Sequence, residues 1–319
     1  MTATVEAKYV VKMDRPTSDT SDSAFTRRYA GACPKCRFVL PPLDECAATY
    51  FEQGFVACSN CAERVDVWKA ALETINAMPG LAWGLTAAGA AITNFTVDLE
   101  AGKFCSIDLT THGIPAGATV LAITYGPQGG SVFPIEWHGN TPQRRIIGTT
   151  LGLIGYPMDG AGQKSRVVGS VVWVAKQESE SWLYLVDALE AAANKRYSQA
   201  TVFAQSALEI EVMPIVSTAL SNHASKKNAE DFVKNSLSYS HALNVLLPFL
   251  CGQLKVPQLP DVIRGALNRL RKLRNEIVHQ GVRSEAIDPS CAGEGLCASV
   301  LGFEYLRFIK PKLLLQPPT

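Results

Sequence analysis

Two Cys-x-x-Cys pairs, Cys33-Pro34-Lys35-Cys36 and Cys58-Ser59-Asn60-Cys61, stand twenty-one residues apart and restrict the fold more than any other feature of the chain. Each pair can bend into a knuckle that presents two thiolates to one point, and two knuckles complete a tetrahedral site. The spacing therefore predicts one zinc ion held by Cys33, Cys36, Cys58 and Cys61. Four thiolates leave no open coordination position, so the expected role is structural, not catalytic. A module of fewer than about fifty residues buries little core, so metal binding would supply much of its folding free energy. Cys46, between the pairs, reads as a core thiol.

The runs Phe38-Val39-Leu40, Gly54-Phe55-Val56 and Val65-Asp66-Val67-Trp68 fit short strands around such a site, and with the cysteines they resemble a zinc ribbon over residues 31–78. Lys35, Arg37 and Arg64 could touch nucleic acid, but Asp44, Glu45, Glu52, Glu63 and Asp66 surround them with opposite charge. Ahead of the module, residues 1–30 read as one strand over 5–13 followed by a Ser/Thr/Asp-rich link over 17–23. Residues 68–78 read as a short helix that Pro79-Gly80 ends.

From residue 84 to 176 glycine and threonine become frequent, and β-rich runs recur at 92–99, 104–109, 119–125, 132–137, 149–154 and 166–174. The pattern predicts an antiparallel sandwich or barrel. Gly126 to Gly130 and Asp159 to Gly162 read as turns. His112 and His138 have no second metal-type residue at useful spacing, Arg144-Arg145 could bind an anion although a lone basic pair is usually just solvated, and no phosphate-loop or dinucleotide fingerprint is present. This region offers no chemistry of its own; a scaffold, a sensor of an unknown trigger or partner, or a substrate-positioning surface is its expected use.

Residues 180–319 read as about five helices, at 182–193, 197–219 (with a kink at Pro214), 229–254, 261–280 and 296–313. In the fourth, Ile263, Ala266, Leu267, Leu270, Leu273 and Ile277 form an apolar stripe, Asp261 suits the N-cap and Gly281 suits the left-handed position after the helix. Arg271, Asn275 and His279 recur at four-residue steps on another face, with Arg274 beside Asn275. RNA is cut without a metal when a base takes the 2′-hydroxyl proton, a cation steadies the phosphorane and an acid protonates the leaving oxygen. His279 can move the proton, Arg274 can steady the charge with its planar fork, and Asn275 can orient His279 or the substrate. One histidine does not easily serve as both base and acid, which argues for two copies of the chain.

Arg274-Asn275-x-x-x-His279, with Leu273 before and Gly281 after, resembles the signature of the HEPN superfamily, whose catalytic members carry Arg-(four to six residues)-His. Tyr197-Ser198-Gln199-Ala200 and Ala204-Gln205-Ser206-Ala207-Leu208-Glu209 are similar to the family's long first helix. The resemblance covers roughly residues 180 to 312. It implies metal-independent endoribonuclease activity of a toxin or antiviral-defence kind, an RNA substrate, a site formed across a homodimer, and Glu209 as a polar support for Arg274 or His279. It also admits a non-catalytic dimerisation or binding module, in which Arg274 pairs with Glu209 or Glu276 and His279 caps the helix end.

The expected fold class is thus multidomain α+β: an N-terminal zinc ribbon, a central antiparallel β sandwich or barrel, and a C-terminal HEPN-like helical bundle. A net charge of +1 excludes a global electrostatic argument for nucleic acid or membrane. Charge is local instead: Lys255, Arg264, Arg269, Arg271, Lys272, Arg274 and Arg283 meet only Asp261 and Glu276 in that segment. No run is apolar for long enough to span a bilayer, residues 1–13 lack a leader pattern, and nine cysteines favour a reducing compartment, so a cytoplasmic location is expected.

Overall fold

A computed structural model of the chain describes residues 26–27, 31–41, 43–77, 90–116, 118–128, 132–136, 146–147, 150–157, 164–174, 179–222 and 224–314. The strand expected over 5–13, the link over 17–23, His138 and Arg144-Arg145 lie outside the described residues. Among those described, antiparallel sheets occupy the middle, helices fill the C-terminal region, and no helix is long and apolar enough to cross a membrane.

The N-terminal part holds α1 (Leu43–Gln53), β2 (Val56–Ala57), β3 (Arg64–Val65) and α2 (Val67–Ala77). β2 pairs with β3, and an isolated bridge joins Ala32 to Val39. Helix α1 was not anticipated, yet its sequence carries the signal. Leu43, Cys46, Ala47, Tyr50 and Phe51 fall at helical spacing and all are buried. Asp66 starts α2 by accepting a bond from the Trp68 amide at 3.1 Å.

β1 (Thr26–Arg27), β4 (Ala91–Glu100), β10 (Lys164–Val174), β6 (Thr119–Gln128) and β8 (Ile146–Ile147) form one sheet in the order β1-β4-β10-β6-β8. β5 (Phe104–Asp108), β9 (Thr150–Pro157) and β7 (Val132–Glu136) form a second, in the order β5-β9-β7. All pairings within the two sheets are antiparallel, and Phe95, Leu99, Val167 and Val171 of one sheet share a core with Ile107, Leu151, Leu153 and Val132 of the other. Gly126 to Gln128, expected in a turn, continue β6 and pair with Val168, Val167 and Arg166. Gly169 lies opposite Phe95, and a Cβ there would come within 2.2 Å of the ring. Glycine is what lets the phenyl ring lie across the neighbouring strand.

The C-terminal helices are α3 (Glu180–Ala193), α4 (Tyr197–Ser221), α5 (Lys226–Asn235), α6 (Leu247–Leu254), α7 (Asp261–Gln280) and α8 (Pro289–Leu314). The single helix expected over 229–254 is broken. Ser236 caps the end of α5, and Ser238 opens a new turn, Tyr239–His241, by accepting from the His241 amide at 3.2 Å. A π-turn over Ala242–Leu246 then leads into α6, where the Leu247 amide reaches back to Ala242. Pro248 has no N–H to donate, so the wide turn sits where the regular ladder would fail. Helix α4 continues through Pro214.

Helix α8 begins two turns earlier than expected because its glycines are packing sites. A Cβ at Gly295 would lie 2.8 Å from Leu270, and one at Gly302 would lie 3.2 Å from Leu267. Both contacts bring α7 close to α8. A single apolar core runs from Leu43, Tyr50 and Phe51 of α1 through Leu208 and Val212 of α4 to Phe303 and Tyr305 of α8. The cysteine module is therefore packed on the last helix, not tethered beside it.

Candidate functional site

The four cysteines expected to act together do meet. Cys33 Sγ is 3.7 Å from Cys61 Sγ, Cys36 Sγ is 3.6 Å from Cys58 Sγ, and all four sulfurs lie within 4.8 Å of one another. A tetrahedron with metal–sulfur bonds of about 2.3 Å has edges of about 3.8 Å, so the cluster could hold a metal ion and its size suits zinc. A disulfide would need about 2.05 Å, so the pairs are not bonded to each other.

The two knuckles are built alike. Cys33 N–H donates to Phe38 O at 2.8 Å and Arg37 N–H to Cys33 O at 2.9 Å; Cys58 N–H donates to Glu63 O at 2.9 Å and Ala62 N–H to Cys58 O at 2.9 Å. Arg37 (φ 62°) and Ala62 (φ 57°) both take the left-handed conformation that turns each loop back. The Cys36 thiol is lowered to about 6, first by a hydrogen bond from the Asn60 side chain and then by the Phe38 backbone amide. Cys61 is pushed up to about 12: the Glu63 amide pulls it down, but burial and its bonds to the other sulfurs outweigh that. The Cys36 thiolate thus forms readily while the Cys61 thiol holds its proton, as expected of a cluster that binds a cation.

The cations of this module are engaged. Lys35 pairs with Glu63 at 3.1 Å, Arg37 with Glu73 at 2.9 Å, and Arg64 stacks 4.6 Å from the Phe55 ring centroid. Cys46 lies apart from the metal-type cluster, with Sγ 3.7 Å from Pro41 O.

The second site lies on α7. Its inner face is held by buried Ile263, Ala266, Leu267 and Leu270, while Leu273 and Ile277 are only half-buried, so the last two turns emerge from the core. Gly281 closes the helix at φ 69°, with its amide on Ile277 O at 3.1 Å. Asp261, expected as the N-cap, is the first helical residue and pairs with Arg264, while Pro260 occupies the cap. Beyond the helix, Ser284 accepts from the Ser198 amide at 3.1 Å, and Ser198 Oγ donates to Val282 O at 3.2 Å. These bonds fasten the end of α7 to the start of α4.

On the emerging turns Arg274 Nη1 donates to Asn275 Oδ1 at 3.3 Å, which draws the guanidinium toward the face that Asn275 shares with His279. His279 is exposed and, among the described residues, makes no side-chain hydrogen bond or ion pair. Neither Glu209 nor Glu276 pairs with Arg274 among the described residues. Glu209 is exposed on α4, and by helix rise it stands about 12 Å along the axis from His279, level with Arg271. Of the basic residues of α7, Arg264 is paired with Asp261 and Arg269 with Glu294, whereas Arg271, Lys272 and Arg274 have no ion pair among the described residues. The uncompensated charge is thus concentrated on the C-terminal half of the helix.

The sequence reading overlooked Gln205 and Tyr239, which border Arg271 from α4 and the Tyr239–His241 turn. Comparison of the chain with protein-family models, curated proteins and solved structures returns no match.

Proposed function

We propose that the chain is a metal-independent endoribonuclease of HEPN type, in which Arg274 and His279 of two copies form one cleft and a zinc-ribbon-like module, with zinc as its metal, braces the helical domain. The observation that supports this reading best is the idleness of the α7 terminus. Among the described residues, the side chains of Arg274 and Asn275 bond only to each other and that of His279 to nothing, so none of the three side chains is used there to hold the fold. A guanidinium, an amide and an imidazole kept together without a structural task are suited to a charged substrate. The tetrahedral cysteine set has no place for substrate, so cleavage would belong to α7 alone.

A dimer that binds without cutting is the competing reading, and one observation favours it. Val278, beside His279, is 50% exposed and offers apolar surface to a partner. Incubating the purified chain with single-stranded RNA in EDTA separates the two. The nuclease reading expects fragments from the parent chain and none from His279→Ala. Intact RNA with a parent chain that dimerises normally would leave the binding module.

A further inference from the structure

Among the described residues, four buried side-chain atoms have no hydrogen-bond partner: Thr201 Oγ1, Gln205 Oε1, Tyr239 Oη and Arg271 Nε. They belong to α4, the Tyr239–His241 turn and α7, which pack together. Thr201 and Gln205 are one turn apart on α4, and Arg271 is one turn before Asn275 on α7. Counting from the Ser198–Ser284 bond puts Arg271 level with the Gln205–Glu209 turn. Tyr239 is 6% exposed and lines one small apolar cavity with Leu208, Val212, Leu243 and Leu267. Burial keeps its hydroxyl protonated well above the usual range, and the groups that act on it are Gln205, Glu209 and Arg271. Gln205, Tyr239 and Arg271 therefore meet at one corner, with Thr201 one turn along α4 from Gln205.

Arg271 is two-sided. Its Nε is shut away from solvent, yet the residue as a whole is only partly buried and its Nη groups make no bond among the described residues. Folded proteins rarely leave a buried N–H without an acceptor, because the hydration that group gives up is then uncompensated. Lys272 and Arg274, on either side, also lack ion pairs among the described residues. Glu209 is the carboxylate that acts on this corner, yet it makes no ion pair with Arg271 among the described residues, so the outer Nη edge is open to negative charge supplied from outside, on the face that leads to Asn275 and His279.

We propose that Arg271 is a phosphoryl-oxygen subsite: its outer Nη edge takes a backbone phosphate flanking the scissile one in single-stranded RNA, while Gln205 and Tyr239 position the guanidinium from within. The planar fork matches two phosphate oxygens, which an ammonium cannot reproduce. Binding of the strand recruits the inner polar atoms by fixing the guanidinium against them. The direction of the strand rests on the nuclease reading; the anion chemistry of the corner does not.

The test uses the full chain carrying His279→Ala, so that a labelled single-stranded RNA stays intact, with affinity measured by anisotropy across a salt series. Adding Arg271→Ala should weaken binding on the order of tenfold and flatten the slope of log affinity against log salt by about 0.7, one single-strand phosphate contact. Arg271→Lys should recover the slope but not the affinity. Tyr239→Phe should weaken binding with the slope kept; a hydroxyl that is merely mispacked would leave binding unchanged. RNA affinity and slope unaltered in Arg271→Ala would overturn the proposal. So would a thermal stabilisation by inorganic phosphate that Arg271→Ala abolishes without touching RNA binding, which would mark a free-anion site. If the parent cuts no RNA but Arg271 still governs the salt slope, the nuclease reading fails and the subsite stands.

Discussion

The Phe51 ring meets the Tyr305 ring edge-on, with centroids 5.1 Å apart and planes at 73°. This contact joins the helix between the two cysteine pairs to the last helix of the chain, and Phe308 adds a second ring at 5.7 Å. Lys312 reaches over the same corner to Glu52 at 2.9 Å. Phe51 is 6% exposed, so removing it empties a filled position between two parts of one core. Phe51→Ala should cost about 3–5 kcal/mol. Urea unfolding followed by the helical signal should show one transition at lower midpoint. A separate early transition with the helical domain untouched would mean that the two parts unfold independently.

The four-sulfur cluster should bind about one zinc per chain, and Cys58→Ser should lose it; metal analysis after purification without chelator reads this directly. The metal-free protein has a definite pH dependence. Cys36 falls from an ordinary value of 9.0 to about 6, so its stabilisation is complete above 9.0 and is lost as pH drops toward 6. Cys61 rises from 9.0 to about 12, so its stabilisation is complete below 9.0 and is lost as pH climbs toward 12. Chelated protein should therefore gain stability from pH 6 to pH 9 in urea titrations. A midpoint that stays level or falls over that range would contradict the assignment.

Ala62 carries the second knuckle through a left-handed turn at φ 57° with an exposed methyl. A Cβ in that conformation costs about 1–2 kcal/mol relative to glycine. Ala62→Gly should therefore raise the stability of the metal-free chain by about 1 kcal/mol without changing metal stoichiometry. Arg37 is the poorer position for the same change, because its side chain also pairs with Glu73. A destabilised Ala62→Gly would show that the turn is not what strains the knuckle.

Those knuckles were legible in the sequence because ligand spacing is local: Cys33 to Cys36 and Cys58 to Cys61 need only a turn each. The six strongest strands were legible for the same reason, through period-two burial such as that of Val167, Val171 and Phe95. Where two signals competed, the weaker one was lost. Tyr50 and Phe51 keep helical spacing in α1, but the glycine and cysteines around them read as strands of a ribbon. The last helix was expected to begin at 296, although Leu270 packs where a Cβ at Gly295 would lie and α8 runs from Pro289. Gln205, Tyr239 and Arg271 come from three distant stretches, and only tertiary packing brings them together. No local pattern could have announced that corner.

The α7 terminus makes the sharpest demand on chemistry. If Arg274 steadies the phosphorane and His279 carries the proton, alanine at either position should lower RNA cleavage on the order of a hundred- to ten-thousand-fold. Arg274→Lys keeps the charge but loses the two-pronged fit and the present bond to Asn275, so cleavage should stay well below the parent. Chelator should leave the rate unchanged in the short term, since the sulfur cluster is closed and on another element. The attacking group would be the neighbouring ribose oxygen, so products should carry 2′,3′-cyclic phosphate and 5′-hydroxyl ends. A strand with 2′-deoxyribose at the cleavage position should then resist. Fragments that instead carry 5′-phosphate, or a His279→Ala chain that cuts as fast as the parent, would remove α7 from the reaction.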